Sequence, residues 1–424
     1  MLSGKGIIEV RRILSINSTT RGSTGRIMCQ ISETARDDGF DSYIAFSRGE
    51  TYSQEKAIKI GTRADIYCHG LVTRLTGKHG FSSTRATKGF LKEVDRLRPD
   101  LIHLHNIHGY YLNIELLFNY IKEKEISIVW TLHDCWAFTG HCAYFDFAGC
   151  EKWKNQCCEC PQIHTYPKSL FIDYSRRAYE RKEKLFIGLK NLTIVTPSYW
   201  LKDLVGQSFL KDYRTIVINN GVDTTIFAPT NVDKSKYGVA SEDFVILGVA
   251  AQFTPRKGLK YFIELSEKLA SGTKIFLVGL NDEQIKSLPE SIIGMKRTEN
   301  IEQLVELYSM ADVFVNPTLE DNFPTTNLEA LACGTPVITF RTGGSPETID
   351  NTCGLIVDKG DTEGLLNAIE IVKKRGKEEY TKNCRKRAIA NFDCNDRFLE
   401  YIDLYRDSLN TGNKYKELDK PAGS

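Results

Sequence analysis

The chain has 424 residues, of which 41% are hydrophobic and 26% are charged, with a formal net charge of +2. This length exceeds what one hydrophobic core usually supports, so the sequence predicts two domains. The nearly balanced charge argues against a general nucleic-acid-binding protein. No run of about 18 apolar residues occurs, which predicts that no helix spans a membrane. The N-terminal segment lacks the apolar core of a signal peptide, so we expect a cytoplasmic protein.

Short apolar runs alternate with helical patterns along the whole chain. In the first half the strand-like runs are VRRILSIN, DSYIAFS, DLIHLHN, SIVWTLHD, LTIVTPS and TIVINNG. The alternation restarts after a polar stretch at 219–244, with FVILGVAA, TKIFLVGL, DVFVNP, TPVITF and GLIVD as strands. Alternating strands and helices predict parallel sheets with helices on both faces. The expected fold class is therefore α/β, with two doubly wound Rossmann-like domains facing a cleft.

The same pattern predicts the domain boundaries. Residues 1–220 form an N-terminal Rossmann-like domain, and residues 221–390 form a C-terminal one. Residues 391–424 begin with a helical pattern that no strand follows, so we expect this helix to cross back to the N-terminal domain. The tail from Thr411 is polar and is expected to be disordered. Ligands of such sheets bind at the carboxyl ends of the strands, where functional residues are expected.

The stretch DNFPTTNLEALACGTP at 321–336 places Asp321 before a turn and Glu329 inside the helix that follows. Two interpretations of Glu329 are open. Thr326 and Glu329 have the spacing of a capping box, in which Glu329 only fixes the start of the helix. Alternatively, the helix N-terminus binds a phosphate through its N–H groups, and the two carboxylates bind sugar hydroxyls beside it.

Basic and imidazole side chains also occur at expected strand ends. QFTPRKG contains Arg256 and Lys257, which either stabilise negative charge on a leaving group or form a solvated basic turn. His105 and His133 end the strands LIHLHN and TLHD. A lone histidine is more often structural than functional, so position has to decide between these roles. His105 is a candidate ligand for an acceptor.

The chain resembles the retaining glycosyltransferases of the GT-B fold, called glycosyltransferase family 4. The motifs that carry the resemblance are GSTGR at 22–26, TLHD at 131–134, TPSYWL at 196–201, NNGVD at 219–223, RKG at 256–258, Asp321-x7-Glu329 and GGSPE at 343–347. Each motif is weak alone, but the ordered set is specific and covers nearly the whole chain. The stretch HDCWAFTGHCAYF at 133–145 is most similar to bacterial exopolysaccharide and colanic-acid-type members.

The resemblance implies a role for each matched residue of the C-terminal half. Glu329 is expected to bind the nucleotide ribose, and Asp321, where the family usually has glutamate, to lie near the donor sugar hydroxyls. Lys257 is expected to contact phosphate. Arg256 is expected to supply a second charge, because Gln252 stands where the family usually has arginine. The backbone expected to face the sugar and diphosphate belongs to Asn322, Phe323, Pro324 and Thr325.

The resemblance also implies roles in the N-terminal half and a reaction. His133 is expected to position the donor sugar, and Gly25 to lie under the reacting sugar. The implied reaction moves a hexose from a UDP- or GDP-linked sugar to a saccharide or lipid-linked acceptor, with retention and without a general base on the protein. The chain has no Asp-x-Asp pair, so no cofactor is expected for catalysis. The alternatives are a nucleotide-sugar epimerase on the same fold and a non-catalytic sugar-binding protein.

Residues 63–92 contain a group of basic side chains interleaved with apolar ones. The basic residues are Arg63, Arg74, Lys78, Arg85, Lys88 and Lys92, and Asp65 is the only acid. Such a segment can rest on anionic lipid, which would suit a lipid-linked acceptor at the inner face of the plasma membrane. An ordinary solvated helix face is an equally good interpretation.

Five of the twelve cysteines are crowded between Cys142 and Cys160. The Cys157-x2-Cys160 spacing is common in zinc sites, and two more thiols lie upstream. The sequence therefore suggests a structural zinc held by Cys142, Cys150, Cys157 and Cys160, with Cys158 not needed. The alternative is that these cysteines are simply buried.

Overall fold

The computed structural model describes residues 10–50 and 56–418, and for 411–418 only the backbone. The described residues divide into two compact units. The first comprises those within Met1–Pro197, Leu201–Ile218 and Phe398–Ser424. The second comprises Ser198–Trp200 and Asn219–Arg397.

In the described part of the first unit, seven strands form one sheet in the order β3-β2-β1-β4-β5-β6-β7, and all paired strands are parallel. Ile13 of β1 pairs with Ser42 of β2 on one side and with Leu101 of β4 on the other. The strands are β1 Arg12–Thr19, β2 Asp41–Arg48, β3 Ala57–Lys59, β4 Leu101–Leu104, β5 Ser127–Thr131, β6 Leu192–Thr196 and β7 Arg214–Val217. All residues of β4, β5 and β6 are buried, as expected for a parallel sheet covered on both faces.

Helices connect these strands. They are α1 Gly22–Asp37, α2 Arg63–Thr76, α3 Thr84–Leu97, α4 Ile114–Lys124, α5 Ser175–Phe186 and α6 Tyr199–Gly206. Two of them begin with a side chain that caps the helix. The Thr62 side chain accepts a hydrogen bond from Asp65 N at the start of α2, and the Asn113 side chain accepts one from Leu116 N at the start of α4. Between β5 and α5 the chain forms mostly turns, with short 3-10 helices at Trp136–Phe138 and Lys152–Lys154.

The second unit repeats this architecture with a six-stranded sheet in its described residues, in the order β10-β9-β8-β11-β12-β13. The strands are β8 Phe244–Val249, β9 Thr273–Val278, β10 Ile292–Met295, β11 Val313–Asn316, β12 Val337–Phe340 and β13 Gly354–Val357. The helices are α7 Leu259–Lys268, α8 Asp282–Lys286, α9 Ile301–Met310, α10 Thr325–Ala332, α11 Thr362–Arg375 and α12 Glu378–Phe392. Leu247, Phe262 and Leu331 lie in its core with no exposed surface. The expected pair of doubly wound α/β domains is confirmed.

The last helix, α13, runs from Cys394 to Leu418 and belongs to the first unit from Phe398 onward. The Tyr405 hydroxyl lies 2.7 Å from Nδ1 of His103 in β4. The helix continues eight residues beyond Asn410, where the sequence pattern predicted a disordered tail. Polar side chains do not by themselves end a helix, and this segment has no proline. Residues 419–424 lie outside the described part. None of the described helices has both the length and the apolar character to cross a bilayer.

Candidate active site

The strand order of the second unit fixes where its polar groups gather. Strands β8 and β11 are neighbours, with Ile246 opposite Val313, although two further strands separate them in the chain. The direction of winding therefore reverses between them, and ligands of doubly wound sheets bind at this switch point. A short 3-10 helix at Pro255–Lys257 follows β8, and the loop leading into α10 follows β11.

Lys257 and Asp321 form an ion pair between these two segments, with side chains 22% and 16% exposed. Arg256 joins the same segments through its Nη1, which donates to the Glu320 carbonyl oxygen at 2.9 Å. Its own carbonyl accepts from Leu319 N at 2.7 Å. Arg256 thus holds the loop after β11. The role expected from the sequence, a second positive charge for the phosphate, stays a prediction.

Two glycines allow close backbone packing around the loop that carries Asp321. Gly258 has φ +77°, and a Cβ there would lie 2.2 Å from the Pro317 carbonyl oxygen. Gly343 of the GGSPE motif has φ +54°, and its Cβ would lie 1.7 Å from the Asp321 carbonyl oxygen. Both positions exclude a side chain, so the glycines of two sequence motifs allow the backbone to close around the loop that carries Asp321.

Helix α10 begins at Thr325 with Pro324 at its N-cap, and no side chain caps it. Thr326 therefore lies within the first turn, and the capping-box interpretation of Glu329 is wrong. Glu329 is instead buried, at 6% exposure, and its Oε2 accepts a hydrogen bond of 2.9 Å from the Tyr308 hydroxyl of α9. The carboxylate is held by tertiary contact, and the helix N-terminus keeps its capacity for an anion.

The backbone between these groups is fixed by side chains. Asp321 Oδ1 accepts from Asn322 N at 2.9 Å, and Asn220 Nδ2 donates to the Phe323 carbonyl at 3.0 Å. Asn322 and Phe323 are both buried. Sequence reasoning missed the supporting roles of Tyr308 and Asn220. Asn220 lies in the NNGVD motif, which was a signal, but nothing local marks Tyr308.

The first unit has its own switch point between β1 and β4. Here His105 and His133 are brought together: Nδ1 of His105 lies 3.0 Å from Nε2 of His133, and the rings stack at 5.3 Å. Nε2 of His105 is buried and has no hydrogen-bond partner in the described residues. His103, by contrast, is fully engaged inside the sheet, with Thr131 Oγ1 2.8 Å from its Nε2.

These imidazoles are uncharged near neutral pH. Burial lowers the pKa of His133 to about 4, although Asp134 acts in the opposite direction. Burial also lowers the pKa of His105 well below its usual value, and His103 and His133 add to the effect. The pair can therefore form hydrogen bonds with a neutral hydroxyl group, but it has no positive charge with which to bind a phosphate. The role of His133 at the donor sugar stays a prediction.

Gly25 lies in the first turn of α1, where the sequence predicted a close approach to a ligand. A Cβ at Gly25 would lie 2.4 Å from the Thr20 carbonyl carbon and 2.8 Å from the Thr19 carbonyl oxygen. The turn after β1 thus already requires glycine for its own backbone. This contact explains the residue type without a ligand.

The cysteine-rich segment folds around one small cavity. Cys142, Cys150, Cys157, Cys158 and Cys160 all line it, together with His141. The thiol of Cys142 is hydrogen-bonded to Cys160, which raises the pKa of Cys142 and lowers that of Cys160. Among the described residues, however, no three His, Cys, Asp or Glu side chains are arranged closely enough to hold a metal ion. The zinc site stays a prediction.

A buried lysine supports this segment. Lys182 of α5 is 1% exposed and donates to the Trp136 and Thr139 carbonyl oxygens at 2.7 and 3.0 Å. Its Nζ also lies 3.3 Å from the centre of the Trp136 ring. The segment after β5 is therefore held by a lysine from a helix further along the chain, as well as by its own turns.

Each unit is a doubly wound domain with polar residues at its switch point, which is where α/β proteins of this class bind their ligands. Comparison with known families is specific. Residues 24–226 match the family described as Glycosyltransferase Family 4, and residues 243–373 match Glycosyl transferases group 1. The chain belongs to the glycosyltransferases of the GT-B fold that join these two domains.

Two relatives of the chain carry names from glycan synthesis. The chain is 26% identical over 327 residues to an Escherichia coli K12 protein named for colanic acid biosynthesis, WcaC, covering 73% of this chain and 76% of that protein. It is 23% identical to an Escherichia coli protein named UDP-Gal:alpha-D-GlcNAc-diphosphoundecaprenol alpha-1,3-galactosyltransferase, covering 48% of this chain and 57% of that one. Sucrose-phosphate synthase from Thermosynechococcus elongatus superposes with a TM-score of 0.71 at 18% identity, covering 95% and 100% of the two chains. The protein is a glycosyltransferase of glycan biosynthesis.

Proposed function

We propose that the protein transfers a hexose, with retention of configuration, from a UDP- or GDP-linked sugar to a hydroxyl of a bacterial surface polysaccharide precursor. The observation that carries the proposal is the set of groups at the β8–β11 switch point. A lysine–aspartate pair lies beside the uncapped N-terminus of α10, and a buried carboxylate lies in the second turn of the same helix. A helix N-terminus and a lysine are suited to a diphosphate, and a carboxylate is suited to ribose hydroxyls.

Each of these groups has a distinct task in the proposal. Glu329, oriented by Tyr308, accepts hydrogen bonds from the ribose hydroxyls. The first-turn N–H groups of α10 and the Lys257 ammonium bind the diphosphate, whose negative charge grows as the glycosidic bond breaks. Asp321 fixes Lys257 in place and lies next to the donor sugar. The acceptor hydroxyl attacks the anomeric carbon on the same face of the sugar from which the leaving group departs. Its proton goes to a phosphate oxygen of that leaving group.

The donor and acceptor classes follow from the family and from chemistry. The galactosyltransferase relative is named for a UDP sugar and a diphosphoundecaprenol-linked acceptor, and the other for colanic acid biosynthesis. We propose the same classes here: a nucleotide diphosphate sugar as donor, and a lipid-linked or oligosaccharide acceptor met at the inner face of the membrane. We also propose that no divalent metal takes part, because the sequence lacks an Asp-x-Asp pair and offers Lys257 instead.

The donor is identified first by thermal unfolding with UDP and GDP. A ligand at 100 times its dissociation constant stabilises the native state by about 2.7 kcal/mol, so the preferred nucleotide gives a clear shift. Nucleotide release from the corresponding sugars is then measured with and without GlcNAc-diphosphoundecaprenol or oligosaccharide acceptors. A transferase releases nucleotide in an acceptor-dependent way. Release without any acceptor would favour an epimerase, and binding without release would favour a sugar-binding protein.

A further inference from the structure

Tyr110 has a backbone conformation that tyrosine rarely adopts. Its φ is +68°, and Gly109 before it has φ +111°. The left-handed region brings a side chain close to the following carbonyl oxygen, so glycine, asparagine and aspartate occupy it far more often than aromatic residues do. Such outliers persist where the surrounding structure fixes them, and they cluster at ligand-binding sites. The Tyr110 ring thus marks a candidate ligand site.

The Tyr110 ring packs against two other rings. Its centroid lies 5.0 Å from that of the His79 ring and 5.8 Å from that of the Tyr166 ring, both in edge-to-face geometry. Tyr110 follows β4 in the chain and Tyr166 follows β5, and these strands are parallel neighbours in the sheet. Segments that follow parallel strands meet at the same edge. Tyr110 and Tyr166 therefore lie side by side at the carboxyl edge of the first unit, where His105 and His133 also lie.

A chain of hydrogen bonds holds the Tyr166 hydroxyl. This hydroxyl lies 2.9 Å from Nδ1 of His108, and Nε2 of His108 lies 2.8 Å from Oδ2 of Asp134. The other carboxylate oxygen of Asp134 accepts from Trp136 N at 2.9 Å. A carboxylate only accepts, so Nε2 of His108 donates to it, and Nδ1 of the neutral ring accepts from the Tyr166 hydroxyl. His108 is thus a positioning residue, since it acts through Tyr166.

Tyr166 is open to solvent although its hydroxyl is held inside the unit. The residue is 44% exposed, whereas His79 and His108 are 4% and 9% exposed. Burial raises the pKa of the Tyr166 hydroxyl well above its usual value, because this hydroxyl lies among protein atoms. The exposed area therefore belongs to the rest of the residue. Since the hydroxyl is already bonded, Tyr166 offers a ligand an oriented apolar ring. Tyr110 beside it is half-buried.

Two arginines lie beside these rings. Arg48, the last residue of β2, donates from Nη2 to the Gly109 carbonyl oxygen at 3.0 Å. Arg74 lies in the last turn of α2. Burial raises the pKa of Tyr110, and the charges of Arg74 and Arg48 oppose this rise, so both guanidinium groups are close to the Tyr110 hydroxyl. Both arginines are exposed, and neither forms an ion pair with another residue of the described ranges. Their positive charge can therefore bind an anionic ligand.

We propose that Tyr110 and Tyr166, flanked by Arg48 and Arg74, form a subsite for a pyranose ring that carries an anionic group. We call these four residues the Tyr110–Tyr166 subsite. The C–H face of a sugar ring packs on tyrosine rings, which are amphipathic and rigid. Ligand sites typically combine such apolar surfaces with a few polar groups that fix orientation. The assignment of this sugar to the acceptor rests on the proposed function, whereas the binding of a sugar here does not.

The charge on the ligand follows from the arginines. A guanidinium group binds two oxygens of one carboxylate or one phosphate in parallel hydrogen bonds. The anionic group is therefore either the carboxylate of a uronic acid or a phosphate on the anomeric oxygen, because both offer the same pair of oxygens. A neutral sugar would leave the two positive charges without a partner and is the poorer ligand.

The test is a ligand-observed NMR titration of the full chain with three probes: methyl glucoside, methyl glucuronide and glucose 1-phosphate. The nucleotide identified by thermal shift is present throughout, so that the proposed donor site is occupied. We expect at least one anionic probe to bind about 10-fold or more tightly than methyl glucoside, because hydrogen bonds to charged groups are the stronger ones. The tighter of the two anionic probes identifies the source of the charge.

Variants assign the binding to this subsite. Tyr166→Leu and Tyr110→Asn should each weaken all three probes by about 3- to 10-fold, since each removes one ring from the sugar face. Asparagine tolerates the backbone conformation at position 110, so the loss is not one of folding. Arg74→Gln should weaken only the two anionic probes, by about 10-fold. A purely structural role of Arg74 would not separate charged from neutral probes.

Two conservative changes test the hydrogen-bonded chain. Tyr166→Phe keeps the ring and should bind the probes within about 3-fold of the wild type, the effect of one neutral hydrogen bond. In a transfer assay, His108→Gln should raise KM for the acceptor and leave kcat and KM for the donor unchanged, because His108 acts only through the Tyr166 ring. A fall in kcat with unchanged acceptor KM would contradict this role.

Matched controls lie at the opposite edge of the same sheet. Tyr120 is near the end of α4, which leads into the amino end of β5, and Arg96 is near the end of α3, which leads into β4. Tyr120→Leu and Arg96→Gln should leave all three affinities unchanged. Wild-type protein that binds none of the probes would overturn the proposal, and so would subsite variants that bind as tightly as the controls. Probe binding without any glycosyl transfer would leave the subsite intact and contradict only the proposed function.

Discussion

The Tyr308 hydroxyl donates a 2.9 Å hydrogen bond to Oε2 of Glu329, which links helix α9 to the second turn of α10. The contact orients the carboxylate of a residue that is only 6% exposed. A carboxylate held in this way is prepared to accept hydroxyl donors without first being ordered. We therefore expect both residues to matter for nucleotide binding, with Glu329 acting directly and Tyr308 positioning it.

Glu329→Gln should weaken nucleotide binding by about 10- to 100-fold, because hydrogen bonds to a charged group contribute about 1.5–3 kcal/mol. Tyr308→Phe should weaken it by only about 2- to 10-fold, because Tyr308 orients the carboxylate and does not itself contact the nucleotide. Isothermal titration with the nucleotide identified by thermal shift measures both. Glu302→Gln, at an exposed position in the first turn of α9, is the control. Unchanged affinity in Glu329→Gln would remove Glu329 from the ribose site.

Lys257→Ala should lower turnover at saturating donor by about 100-fold or more, because single groups that stabilise a developing charge commonly contribute that much. Donor binding should fall less than turnover, since the charge on the diphosphate increases in the transition state. Lys260→Ala is the matched control, an exposed lysine three residues further along. Near-normal turnover in Lys257→Ala would mean that the phosphate site lies elsewhere. Activity should also not require an added divalent metal.

The Cys157-x2-Cys160 spacing predicts a metal content, although the described side chains are not arranged around a common metal position in this structure. Protein purified without chelator should carry about one zinc per chain, because four thiolates make one tetrahedral site. Cys157→Ser should lower the zinc content and destabilise the fold, since bound metal holds a segment that has little regular structure of its own. Cys68→Ser, at an exposed cysteine of α2, should retain the metal. Zinc far below one per chain, with all five clustered thiols reacting freely in native protein, would exclude the site.

Buried histidines predict that stability falls on mild acidification. Burial lowers the pKa of His69, His133 and His141 to about 4 and that of His103 to about 3. The unfolded chain takes up protons near pH 6.5, so below that pH it binds more protons than the native state. Each such histidine should lower the free energy of unfolding by about 1 kcal/mol between about pH 7.5 and pH 5.5.

Urea denaturation at these two pH values measures the loss. His69→Gln should reduce the loss of stability by the contribution of one histidine. Equal stability at both pH values would show that these imidazoles are not buried neutral groups in solution. Asp134 does not contribute to this loss. Burial raises its pKa, but His108 and a hydrogen bond from Trp136 N lower it further, so that its pKa lies below the usual value and outside this pH range.

The sequence alone determined the architecture. The alternation of buried strands such as VFVN and LIHL with helices of period 3.6 requires parallel, helix-covered sheets, and the order of motifs identified the family. It also placed Lys257 and Asp321 in the segments that follow strands, and Glu329 in the helix after Asp321, because in a doubly wound sheet the segment after each strand reaches the same edge. These are local or topological facts, and a linear chain carries them directly.

Only the tertiary structure decided how the individual side chains are used. Thr326 and Glu329 have the spacing of a capping box, yet α10 begins too early for it, and a tyrosine from another helix holds the carboxylate. Gly25 fits its own turn, and the buried His69 ring lies between the Ser83 hydroxyl and Gly80 N. The physical reason is the same in each case. A side chain's partner is chosen by proximity in space among residues distant in sequence, which spacing along the chain does not encode.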